Sequence, residues 1–153
     1  FNHQYSKNNL GIIYKIKNIL GLSIEYFEEA IRQKNDLLST YNLSHIHIYE
    51  EPYKNSIDKS IELLIKSLDK EFLPTKYLLC ITLIKKFGSN INIKNIEDEF
   101  QIYTTKYSEF SKIVFIIIIK YNLNDEINFK NIYNFYQKID YLYYYKNDYI
   151  SSL

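Results

Sequence analysis

The chain has 153 residues, 46% of them hydrophobic and 17% aromatic. That is enough apolar side chain for a core in one domain or two small ones, and it excludes a disordered polar tract. Lys and Arg number 19 and Asp and Glu 18, and the resulting formal charge of +1 excludes the strongly basic footprint of a stand-alone nucleic-acid binder.

With 3 Gly and 2 Pro the chain is short of turn-formers, which points to helices rather than to an all-β fold. Ile, Asn, Lys and Tyr dominate, beside one Ala, one Arg, no Trp and no Met. We read this as A/T-rich coding, so enrichment in Lys, Asn or Tyr says little about function by itself. The start at Phe1 without Met and the end at Ser151-Ser152-Leu153 give the expectation of a fragment. Cys80 is the single cysteine, so no disulfide closes within the chain. Its apolar helical surroundings predict a buried, inert thiol and a reducing, intracellular setting. No secretory signal pattern is visible. The longest apolar run, Ile113 to Ile119, falls far short of the roughly 20 residues that cross a bilayer.

In chain order, Phe1 to Ser6 reads as polar and irregular. Leu10 to Leu20 fits a short helix or a strand entering one, with Gly11 and Gly21 as interruptions. Ser23 has the chemistry of an N-cap and Glu25 suits a first helical turn. Ile24, Phe27, Ile31 and Leu38 give a helical stripe to about Thr40, with Glu28 and Arg32 as an i,i+4 pair off that stripe. Asn42 to Lys54 is expected to be a loop with an extended piece at Ser44–Tyr49, because His45 and His47 alternate with isoleucines. Two histidines so spaced can share a metal, yet no third ligand of matching spacing accompanies them.

Ile57, Ile61, Leu64, Ile65 and Leu68 predict an amphipathic helix. Pro74 suits the first turn of the next, which is expected to run to Phe87 and stop at Gly88. Lys85 and Lys86 complement the dipole of its last turn. Asn92 is expected to cap a helix to about Tyr107, with Ile93, Ile96, Phe100 and Tyr103 inward and Glu97, Asp98 and Glu99 on a solvated face. Ser111 to Tyr121 is apolar nearly all round, which predicts a buried helix, a buried strand being the competing form. Asn128 is expected to cap a helix from Phe129 to Ile139. Tyr141 to Tyr149 carries five tyrosines that fit a packed amphipathic segment, or a stacking platform for exposed bases if their rings share one exposed face.

One unit recurs. Ile91 to Phe100, INIKNIEDEF, matches Ile127 to Tyr136, INFKNIYNFY, at five of ten positions with an offset of 36 residues. Each copy follows an apolar helix that ends in lysine. A period of this size lies near that of helix-pair solenoids, so a helical-repeat scaffold for a protein partner is one reading. Only two copies are present, and one Ala in the whole chain argues against close-packed helix arrays. No Gly-rich phosphate loop, serine elbow or Cys/His nucleophile pair occurs, so the chain is not expected to be an enzyme.

The segments Ile116 to Asp125, IIIIKYNLND, and Asn128 to Lys138, NFKNIYNFYQK, carry a resemblance to the fourth subunit of the eukaryotic origin recognition complex. In that family the corresponding block opens the C-terminal winged-helix domain. Phe1-Asn2-His3-Gln4 is similar to the segment that closes the family's AAA+ core, with Asn2 in place of the family's serine. Ser23 to Leu38 resembles the first lid helix and Tyr77 to Phe100 the lid helix pair, whereas Asn42 to Lys54 has no counterpart.

The resemblance implies a mainly α chain: residues 1–22 end an AAA+ core, 23–110 form a helical lid bundle, and 111–153 begin a winged helix. It implies a non-catalytic, nuclear part of a ring that surrounds double-stranded DNA at origins and initiates DNA replication. The other origin recognition complex subunits would be its partners, and no membrane would be involved. ATP would belong to a core outside this chain, which itself would hold no cofactor and no metal. On this reading Lys130, Asn131 and Lys138, exposed on the helix Phe129–Ile139, are the candidate DNA contacts, each supplying a share of phosphate affinity.

Overall fold

The computed structural model describes residues 3–50, 52–53, 56–70, 72–105, 110–112, 114–115 and 118. These form helices and short connections, with no strand among them, as the composition predicts. The chain divides into two compact units, Phe1–Ser67 and Leu68–Leu153. The division falls inside the 23–110 stretch read above as one lid.

The first unit holds α1 (His3–Ile16), α2 (Leu20–Lys34), α3 (Leu37–Tyr49) and α4 (Ile57–Lys66). Helix thus begins at His3, inside the segment expected to be irregular. The alternatives at Leu10–Leu20 resolve to helix on both sides of a turn. Asn18 enters the left-handed region there at φ 61°, which Asn tolerates because its side chain bonds locally. Ile19 N–H closes the turn by donating to Tyr14 O at 2.8 Å.

Ser23 is not an N-cap. α2 starts three residues before it, with Ile19 at the cap position making no side-chain bond. Ser23 is buried, and its hydroxyl donates to the Gly11 carbonyl of α1 at 2.6 Å. Gly11 permits that approach, because a Cβ there would overlap the ring of Phe27.

The helix expected to reach Thr40 instead breaks at Asn35, which caps α2 in the left-handed conformation at φ 53°. Asp36 then caps α3, accepting from Ser39 N–H at 3.2 Å and from the Ser39 hydroxyl at 2.6 Å. Two adjacent short polar side chains suffice to end one helix and begin another.

The expected loop over Asn42–Lys54 is also corrected, since α3 continues through Tyr49. Leu43, Ser44, Ile46, His47 and Ile48 are all buried. A helix covered on several sides needs no single apolar stripe, so its sequence can alternate like a strand. Phe27, Leu43 and Ile46 form the core of this unit, flanked by Ile12, Leu20, Ile24, Ile31, Tyr53 and Leu63. Ile61, Leu64 and Ile65 of α4 are fully buried, as their spacing predicts.

The second unit contains α5 (Leu73–Phe87), one 3-10 turn at Gly88–Asn90, and α6 (Ile93–Tyr103). Pro74 lies in the first turn of α5, where its missing N–H costs no helical bond. Gly88 ends α5 with φ 54°, and Asn92 caps α6 by accepting from Asn95 N–H at 2.8 Å. α6 stops at Tyr103, with Thr104 extended, short of the expected Tyr107. Every residue from Thr75 to Leu83 is buried, including Lys76 and Cys80, so α5 has no solvent face over two turns.

Residues 110–112, 114–115 and 118 are helical, which favours helix over strand for the start of the isoleucine run. Everything from residue 119 onward lies outside the described residues. That includes the second copy of the repeated unit and the helix expected at Phe129–Ile139. No helix among the described residues is long and apolar enough to cross a membrane.

Candidate functional site

Lys130, Asn131 and Lys138 lie outside the described residues, as does the tyrosine-rich segment Tyr141–Tyr149. The polar chemistry of the described residues concentrates in two places, one in each unit.

In the first unit Lys15, on the last turn of α1, directs its ammonium at His45 of α3, with Nζ 3.5 Å from Nδ1. His45 lies between Tyr41 and Tyr49, at ring centroid distances of 6.1 and 4.5 Å. Burial, and secondarily the Lys15 charge, push the imidazole down to about 4, so it is neutral near pH 7. Burial also lowers Lys15, against an opposing pull from Glu50. Burial raises Tyr41. The group is therefore a partly dehydrated amine set against a neutral imidazole that accepts its hydrogen bond.

His47 does not join His45. Two residues along an α-helix turn roughly 200° about the axis, which sends the two rings to different sides. His47 instead meets the edge of Tyr53 at 6.2 Å, and its Nδ1 is buried without a hydrogen-bond partner. The strand-like spacing that suggested a shared metal is thus a helical one. Among the described residues no group of three or more His, Cys, Asp or Glu side chains could hold a metal ion.

In the second unit Lys86 of α5 and Glu99 of α6 form an ion pair at 2.8 Å. The Glu99 side chain is 6% exposed and that of Lys86 26%. This corrects the solvated-face reading of Glu97–Glu99: Asp98 is exposed and bonds Lys94 at 3.5 Å, whereas Glu99 is buried. It also gives Lys86 a cross-helix partner beyond the helix dipole. The ammonium lies 5.7 Å from the centre of the Phe87 ring as well.

On another side of α6, Glu97, Phe100, Gln101 and Thr104 line a groove of about 470 Å³ that also reaches Ser111 and Lys112. Cys80 is fully buried and its thiol is pushed up by burial, so it is not a thiolate nucleophile.

Sequence reasoning missed both cross-helix contacts. Lys15 and His45 are 30 residues apart and Lys86 and Glu99 are 13 apart, so neither pair leaves a local signature. The chain matches no protein-family model, no curated protein and no solved structure.

Proposed function

We propose that this chain is a non-catalytic helical module of a larger assembly, in the form that the resemblance implies: part of a subunit like the fourth of the origin recognition complex. In that role it joins other subunits in a nuclear ring around double-stranded DNA. The observation that carries the reading is the punctuation of the second unit. Pro74 opens α5, Gly88 closes it, Asn92 caps α6, and Phe110 is helical again. This order parallels a lid helix pair followed by the first helix of a winged domain, and it leads into the Ile116–Lys138 block that carries the resemblance. The described polar groups fit a structural role as well, since Ser23, Asp36, Asn92 and Glu99 each join or cap helices.

The near-neutral charge agrees with shared binding, in which each subunit adds a few phosphate contacts and affinity accrues across the ring. ATP, on this reading, belongs to the AAA+ core. The test is purification of the tagged protein from nuclei of its own cells, with partners identified by mass spectrometry. Recovery of other origin complex subunits in roughly equal amounts supports the proposal. Their absence, with one unrelated partner in stoichiometric amount, overturns it in favour of a helical scaffold.

A further inference from the structure

We draw no further inference here: the strongest candidate, the exposed apolar patch of Ile13, Ile16, Ile19 and Leu22 at the turn between α1 and α2, carries nothing because nothing in the structure shows what covers it.

Discussion

Lys86 Nζ lies 2.8 Å from Glu99 Oε1, and Glu99 is 5% exposed while its second oxygen, Oε2, has no hydrogen-bond partner. The carboxylate is therefore out of water and held by one strong bond across two helices. Removing the cation strands a buried charge, which costs more than the pair itself contributes. Lys86→Ala is expected to lower the unfolding free energy by about 1.5–3 kcal/mol, the range for hydrogen bonds to charged groups. The double change Lys86→Leu with Glu99→Leu is expected to recover most of that loss, because apolar side chains carry no desolvation penalty. Urea unfolding midpoints of the two variants and the parent decide the matter. Equal losses in the single and double variants would show that the pair does not act as a unit.

The two helical glycines of the first unit have opposite expected outcomes. At Gly11 a Cβ meets the Phe27 ring, which is fully buried and cannot easily shift. Overpacking of about 1–3 kcal/mol then exceeds the roughly 1 kcal/mol that Ala gains in helix propensity. Gly11→Ala should therefore destabilise. At Gly21 nothing lies within 4 Å, and the residue is exposed within α2. Gly21→Ala should stabilise by ~0.5–1 kcal/mol. Thermal unfolding of both variants tests the sign directly, and a Gly11→Ala protein as stable as the parent would disprove the close approach of α1 and α2.

The elements that sequence reasoning placed well are those whose ends are written locally. Pro74, Gly88 and Asn92 each act within a turn of their own position, so the bounds of α5 and the start of α6 follow from residue chemistry alone. Ser23 misled because a serine hydroxyl serves in two roles: at an N-cap it accepts from a backbone N–H, whereas here, inside α2, it donates across to the Gly11 carbonyl of α1. α3 misled because burial on several sides erases the apolar stripe and leaves the His–Ile alternation to imitate a strand. The ion pair of α5 with α6 and the Lys15–His45 contact depend on tertiary packing, which no local pattern encodes.

Cap chemistry gives a prediction of moderate size. Asn92 Oδ1 accepts from Asn95 N–H at 2.8 Å, and its loss leaves an N–H at the start of α6 without that acceptor. Asn92→Ala is expected to cost about 1 kcal/mol, and Asn92→Asp to be neutral or slightly stabilising, since a carboxylate also favours the positive helix end. Chemical denaturation of the two variants side by side separates a cap from a mere surface position, where both would be silent.

Acid should weaken the first unit through His45. Its folded pKa, about 4, lies below the ordinary 6.5, so between those values the unfolded chain takes up a proton that the folded chain refuses. The associated stability is complete above pH 6.5 and is lost as pH falls towards 4, by ~3 kcal/mol. His47, lowered by burial and by Lys59, adds in the same direction. The groups facing His45 are Lys15 from α1 and Tyr41 and Tyr49 from its own helix, with Glu50 acting on Lys15. Lys15→Met removes the neighbouring cation and is expected to raise the His45 pKa while leaving the larger burial effect in place. An NMR titration of the imidazole in both proteins checks this, and an unchanged midpoint would show that Lys15 does not act on the ring.

The proposed DNA role rests on Lys130 and Lys138, and it has a signature that a merely solvated helix face would lack. A lysine on phosphate displaces condensed counterions, so its removal flattens the dependence of affinity on salt. Lys130→Glu and Lys138→Glu, each made in the assembled complex, are expected to weaken duplex binding at low salt and to reduce the log–log salt slope by about 1 apiece. The effect should be equal on unrelated DNA sequences, because phosphate contacts carry no base information. Asn131→Ala, which removes a neutral hydrogen-bonding group, should weaken binding without altering the slope. Binding isotherms at several salt concentrations distinguish these outcomes. Unchanged slopes for both lysine variants, with assembly of the complex intact, would place these residues away from DNA and leave the chain's contribution to subunit contacts alone.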